Sequence, residues 1–218
     1  MGKVEVEKKI LTKNEQKAAE MRKIFAEKGI CVLNIMSSPG SGKTTILENI
    51  LVTLKDKYKI AVIEGDQQTT NDADRIEATG VKAFQVNTGN GCHLEAADIE
   101  RGMNALGYDY DLVIVENVGN LVCPAEFDLG EDGKITVLST TEGEDKPIKY
   151  PVMIRASEAF IVNKTDLLPY VDFDIEKCIN YAKGINAGLD VFKVSCKTKE
   201  GLEDIIAYIE KRIKAKKG

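Results

Sequence analysis

Ser37-Ser38-Pro39-Gly40-Ser41-Gly42-Lys43-Thr44-Thr45 decides how the rest of this chain is read. It follows an apolar run, Cys31 to Met36, that reads as a buried strand. It opens a segment, Thr45 to Val52, whose apolar residues repeat at helical spacing. Strand, glycine-rich turn and helix together are the setting of a phosphate-binding loop. Small residues from Pro39 to Thr45 let backbone N–H groups turn inward on a polyphosphate, and the helix N-terminus adds partial positive charge. Lys43 is placed to reach the β- and γ-phosphates, and Thr44 to hold Mg²⁺ through its hydroxyl. The pattern asks for glycine where this chain has Ser37, a position that needs only a small side chain.

Working outward, apolar residues at Ala18, Met21, Ile24 and Phe25 predict a helix over Asn14–Lys28, ending before Gly29. Strands are expected at Lys59–Glu64, Val81–Val86, Asp111–Val115, Lys134–Ser139, Glu158–Val162 and Asp190–Val194. Helices are expected near Asp72–Thr79, Leu94–Leu106, Asp174–Ala187 and Leu202–Lys214. Strands alternating with helices predict an α/β fold, a mostly parallel sheet covered on both faces, with ligands at the carboxyl ends of the strands. The 218 residues are expected to form a single domain, with residues 1–29 as an N-terminal helix on or beside it. The basic stretch Lys211–Gly218 reads as a frayed, solvated helix end.

Composition narrows the class. A net charge of −5 argues against non-specific nucleic-acid binding, and no apolar run is long enough to span a bilayer. Met1 to Glu7 lacks the apolar core of a signal peptide, so a cytoplasmic protein is expected, with no membrane partner. An odd five cysteines read as thiols or ligands, not as a disulfide framework.

Asn163-Lys164-Thr165-Asp166 identifies the base. A carboxylate at Asp166 accepts from both N1–H and the exocyclic amine of guanine, whereas adenine presents a lone pair at N1 and no amine. A pairing of this kind discriminates strongly. Asn163 and the stem of Lys164 position and cover the base. Ser195-Cys196-Lys197 stands where GTPases usually carry Ser-Ala-Lys, with Cys196 as small filler beside a backbone N–H. Glu116-Asn117-Val118-Gly119 matches an acid-x-x-Gly switch: Gly119 N–H meets the γ-phosphate, and Glu116 approaches Mg²⁺ through water. In the loop Glu64 to Asp72, Asp66 is the first choice for orienting the attacking water and supporting Mg²⁺. Asp72 is the second choice, with helix capping the commoner role for a residue there. Hydrolysis would rest on positioning and charge neutralisation by Lys43 and the metal.

The only histidine, His93, adjoins Cys92, and Cys123 stands four residues beyond Gly119; both loops leave carboxyl ends of strands. Thiolate, imidazole and thiolate suit Zn²⁺ or Ni²⁺, with one position open for a second copy at a two-fold axis. One Cys-His pair plus a distant Cys is poor ligand spacing, so residue types alone leave this site open. Cys31 and Cys178 read as core thiols.

Three segments carry a resemblance: Glu64 to Thr69, Asn90 to Leu94, and Glu116-Asn117-Val118-Gly119-Asn120-Leu121-Val122-Cys123-Pro124-Ala125-Glu126-Phe127-Asp128-Leu129-Gly130. Together they resemble the HypB family, GTPases that deliver nickel during [NiFe]-hydrogenase maturation, and the similarity covers essentially the whole chain. The resemblance implies a signal-recognition-particle/MinD-type (SIMIBI) P-loop fold and a Ni²⁺ or Zn²⁺ site from Cys92, His93 and Cys123. It also implies a homodimer promoted by GTP or metal, and partners in the hydrogenase large subunit and other maturation factors. A lysine crossing the dimer to the nucleotide would come from Lys146 or Lys149. The Cys-x-x-Cys-Gly-Cys motif or histidine-rich tract of many bacterial members is absent from these residues, as is the Cys-Pro-His motif of the urease GTPases. Competing readings are a urease-type nickel GTPase, a small-molecule kinase, which predicts an arginine-rich lid, and a metal carrier with a vestigial nucleotide site.

Overall fold

The computed structural model describes residues 3–66, 71–89 and 91–218 (for 3–10, the backbone). Of the sequence motifs above, Gln67, Gln68, Thr69, Thr70 and Asn90 lie outside the described residues.

Seven strands form one parallel sheet: β1 Cys31–Ser37, β2 Ile60–Asp66, β3 Lys82–Asn87, β4 Leu112–Glu116, β5 Gly133–Ser139, β6 Ala159–Asn163 and β7 Asp190–Lys193, in the order β3-β2-β4-β1-β5-β6-β7. The chain winds to one side of β1 through β2, β3 and β4, then crosses back to build the other side from β5 onward. That reversal opens a crevice at the carboxyl edge beside β1, where such sheets bind ligands.

Strand side chains alternate between two apolar layers. On one face Leu33, Ile35, Val62 and Ile114 pack with α2 (Lys43–Leu54), α3 (Asn71–Ala78) and α9 (Leu202–Lys217). On the other Val32, Ile63, Val113 and Val115 pack with α1 (Lys3–Lys28) and α4 (Ala96–Leu106). Burial on both faces explains why β1 and β4 read as continuous apolar runs instead of alternating ones. Beneath β6, α7 (Pro151–Ala156) and α8 (Ile175–Ile185) close a third layer around Phe160 and Cys178.

Four expectations change. The first helix begins at Lys3, well before Asn14, and α2 begins at Lys43. Four short helical pieces that the sequence reading did not expect appear among the described residues: α5 (Cys123–Glu126), α6 (Lys146–Lys149), α7 and a 3₁₀ turn over Thr165–Tyr170. The basic tail is not frayed. α9 runs to Lys217 because Lys216 pairs with Asp132 and Lys217 with Asp111, at the amino ends of β5 and β4.

Candidate functional site: a phosphate cleft beside a thiol–imidazole trio

β1 delivers Ser37 to the carboxyl edge, and the turn to α2 is fixed by Gly42 at φ 98°. A Cβ on Gly42 would lie 2.5 Å from Asn163 Nδ2, so only glycine fits. Lys43 Nζ donates to Ser37 Oγ at 2.9 Å, and Ser37 Oγ donates to the Ser38 carbonyl at 2.7 Å. The serine is therefore more than a small residue: it parks the lysine over the loop. The surrounding cleft encloses about 460 Å³ and is lined by Pro39, Gly40, Gly42, Lys43, Thr44, Thr45, Asp66, Glu116 and Gly119, among others. Ser41 is buried just behind it.

Gly119 packs on the phosphate loop, its position 3.0 Å from Pro39 Cα if a Cβ were added. Glu116, at the end of β4, accepts from Thr44 Oγ1 at 2.8 Å and lies 4.0 Å from Lys43 Nζ. Glu64, its registered partner on β2, brings a second buried carboxyl that composition and periodicity did not single out. Burial, and then the facing Glu116 charge, push Glu64 well above the usual carboxylate range. Burial also raises Glu116, while the Lys43 charge and the hydrogen bonds from Glu64 and Thr44 oppose the rise. Glu64 Oε1 and Glu116 Oε2 are buried without a hydrogen-bond partner, beside the Thr44 hydroxyl. Orphaned oxygens beside a hydroxyl fit a hard cation such as Mg²⁺.

Asp66 ends β2 at the cleft wall. Asp72 lies inside the first turn of α3, not at its cap, and pairs with Arg75 at 3.1 Å. Arg75 also reaches Glu48 at 2.6 Å and Thr45 Oγ1 at 3.0 Å, tying α3 to α2. Sequence reading missed it, since a lone arginine carries no motif.

At the far end of the cleft Asn163 Nδ2 donates to the Ser41 carbonyl at 2.9 Å, and Lys164 Nζ to the Gly40 carbonyl at 2.7 Å. Lys164 takes φ 62°, a left-handed conformation that costs energy for a side-chain-bearing residue and turns the chain toward Asp166. Ser195 Oγ donates to Asp166 Oδ1 at 2.6 Å. Cys196 is half-buried beside Asn163, its thiol pushed up to about 11 by burial, and Lys197 is exposed. The motif residues Asn163, Lys164, Asp166 and Ser195 thus converge on one spot beside the phosphate loop.

Cys92, His93 and Cys123 also come together: one ligand atom from each lies within 4.8 Å of the others. The two sulfurs are 2.9 Å apart, and Cys92 Sγ is 3.6 Å from His93 Nδ1. His93 Nε2 is buried without a hydrogen-bond partner, and Phe127 stacks on the imidazole with ring centroids 3.7 Å apart. Burial lowers the His93 pKa, favouring the neutral imidazole that ligates metals. Burial, followed by the Cys92 contact, raises Cys123. Cys31 and Cys178 are fully buried, and burial lifts both thiols to about 12, the behaviour of core residues.

The helices on either side fix this trio. Asn14 of α1 accepts from Ala96 N–H at 2.8 Å and donates to the Asp128 carbonyl at 2.7 Å, and Arg22 grips the Asp128 carboxylate at 2.5 and 2.7 Å.

A family model described as "CobW/HypB/UreG, nucleotide-binding domain" matches residues 31–193. The hydrogenase maturation factor HypB of Azotobacter chroococcum mcd 1 is 53% identical over 96% of this chain and 69% of its own length. The chain belongs to the HypB family. A crystal structure of HypB from Helicobacter pylori in complex with nickel superposes with a TM-score of 0.88 at 41% identity, covering 93% of this chain and 96% of that one. The signal recognition particle 54 kDa protein of Aeropyrum pernix K1, in complex with GDP, shares the fold at a TM-score of 0.55 and 14% identity, covering 84% of this chain and 49% of that one. The seven-stranded parallel fold of this chain is thus shared with HypB and, as a fold alone, with the signal recognition particle protein. Among the described residues, no helix is long and apolar enough to cross a membrane.

Proposed function

We propose that this chain is a GTP-hydrolysing switch that carries nickel for [NiFe]-hydrogenase maturation in the cytoplasm, acting as one domain over residues 1–218. The observation that carries the reading is adjacency. The cysteine–histidine trio sits on loops from the same sheet edge as the phosphate cleft, and Cys123 shares a short segment with the cleft-lining Gly119.

In this reading Gly40 to Thr45 cradle the phosphates through their backbone N–H groups, with Pro39, which has no N–H, starting the turn. Lys43 leaves Ser37 Oγ for the β- and γ-phosphates, exchanging a neutral partner for a charged one. Gly119 N–H meets the third phosphate, and Asp66 orients the attacking water. Thr44, Asp66 and Glu116 would hold Mg²⁺, which when bound neutralises charge on the β- and γ-phosphate oxygens. Asp166 reads guanine, with Asn163, Lys164, Ser195, Cys196 and Lys197 around the base.

The cargo is Ni²⁺, or Zn²⁺ in competition with it, on Cys92, His93 and Cys123. Three ligands leave a coordination position open, which a second copy at a two-fold axis fills in a homodimer promoted by GTP or metal. Lys146 or Lys149 of α6 is the candidate to reach the partner's nucleotide. The hydrogenase large subunit and other maturation factors are the proposed recipients.

Turnover assays test the enzyme half. The parent hydrolyses GTP with Mg²⁺, and Lys43→Ala slows it by roughly 10²–10³-fold, the scale for losing a dedicated charge stabiliser. Asp166→Asn moves preference from GTP to XTP, because the Asn amide donates to the xanthine carbonyl that replaces the guanine amine. A parent without turnover, or one indifferent to Lys43→Ala, overturns the reading.

A further inference from the structure

Two loops that border the nucleotide and metal sites converge on one side chain. Asn117 follows β4 and is 1% exposed. Its Oδ1 accepts from Leu94 N–H at 3.1 Å and from Val118 N–H at 3.0 Å. Leu94 adjoins His93, and Val118 adjoins Gly119. One oxygen atom therefore joins the metal loop to the loop against the phosphates.

The connection continues through the core. Asn117 Nδ2 donates to Asn34 Oδ1 at 3.2 Å, and Asn34 Nδ2 donates to Glu131 Oε1 at 3.3 Å. Lys134, the registered partner of Asn34 on β5, lies 3.5 Å from Glu131. Its ammonium donates to the Ala125 carbonyl at 3.0 Å and the Phe127 carbonyl at 2.9 Å, in the turn that starts at Cys123. Asn34 is wholly buried on the face of β1 that carries Val32, where an apolar side chain would avoid the cost of burying an amide. Satisfied polar networks of this kind fix one geometry where apolar packing tolerates several.

We propose that Asn117 is a positioning residue that transmits the state of the third-phosphate loop to the metal ligands, with Asn34, Glu131 and Lys134 anchoring the Cys123 turn to it. This rests on the function proposed above and deepens it. N–H···O bonds hold to about 3.2 Å, so a shift of Val118 by about an ångström either carries Leu94 and His93 along or breaks the bond between them.

The test uses the full chain, with Ni²⁺ titrated in the presence of GDP or of a non-hydrolysable GTP analogue. Hydrogen exchange at the Leu94 amide is followed in parallel. In the parent, replacing GDP by the analogue changes both nickel affinity and Leu94 exchange, the affinity by about 5–150-fold. In Asn117→Ala the affinity ratio falls toward one and Leu94 exchange no longer responds to nucleotide. Asn117→Asp keeps the oxygen that accepts from Leu94 but loses the donor to Asn34, so it preserves the Leu94 exchange response and not the tie to the Cys123 turn. Asn117→Ser, too short to reach Leu94, behaves as the alanine variant and serves if that variant does not fold. A parental ratio and parental Leu94 response in Asn117→Ala or Asn117→Ser overturn the relay. A parent with unequal nickel affinities but constant Leu94 exchange overturns the relay alone, and a parent constant in both removes the nucleotide-gated reading with it.

Discussion

Glu64 and Glu116 stand as registered partners on neighbouring parallel strands, both carboxyls buried, and Glu116 accepts the Thr44 hydroxyl at 2.8 Å. Two buried carboxylates this close favour holding a proton between them. Burial raises both carboxyls, and the facing Glu116 charge adds to the rise of Glu64, well above the usual carboxylate range. A carboxyl kept neutral at the foot of the cleft is primed to ionise when a cation arrives.

The nucleotide-free protein should therefore lose stability as pH rises. The raised folded pKa of Glu64 means that the folded state binds more protons than the unfolded chain above the ordinary carboxylate value of 4.5. The contribution is complete below that value and disappears as pH climbs through the raised pKa. Thermal midpoints of the metal- and nucleotide-free protein across this range check it. Glu64→Gln should flatten the slope, and an unchanged slope in that variant would count against the shared proton.

Gly42→Ala should abolish nucleotide binding and destabilise the fold by about 1 kcal/mol or more, because φ 98° and the Asn163 amide both exclude a Cβ. Calorimetric titration with GDP and a thermal melt measure the two effects. Normal GDP affinity in the variant would show that the turn accommodates a methyl group.

The placement of much of this site is legible in the sequence, because the glycine-rich loop and the Asn-Lys-x-Asp motif are each one contiguous run, and hydrogen bonds from Asn163 and Lys164 join them. Gly42, Lys43 and Asp166 announce themselves for that reason. Glu64 does not: its role depends on strand register, which pairs it with Glu116 across 52 positions of sequence. Cys92 and Cys123 have the right chemistry at an unpromising spacing, and only the order of β2, β3 and β4 brings their loops together. The short helices α5 and α6 offer too few residues for a periodicity, and Lys216 and Lys217 look like a solvated tail until Asp132 and Asp111 are placed beneath them.

Phe127 should matter to metal binding and not to the nucleotide. Its ring lies over His93 at 3.7 Å and fixes the imidazole from outside the ligand set. Phe127→Ala is expected to weaken Ni²⁺ binding by roughly 10-fold, the lower end of the range for outer-shell partners of a metal. Phe127→Tyr should keep it. Competition with a chromophoric chelator measures the affinity, and a parental value in the alanine variant would leave the stack without a role.

The tail makes a smaller claim. Lys216→Met removes the pair with Asp132 at the foot of β5 and should cost roughly 0.5–1 kcal/mol, less at high salt. Urea unfolding at low and high ionic strength separates this from a general loss of helix, which would not depend on salt.

The most direct test of the account is one competition titration of Ni²⁺ against the parent chain, run with GDP and again with a non-hydrolysable GTP analogue. Because Cys123 and Gly119 share one segment, the two affinities should differ by about fivefold or more. By reciprocity, bound Ni²⁺ should shift analogue affinity by the same factor. Equal nickel affinities in the two nucleotide states would contradict the account.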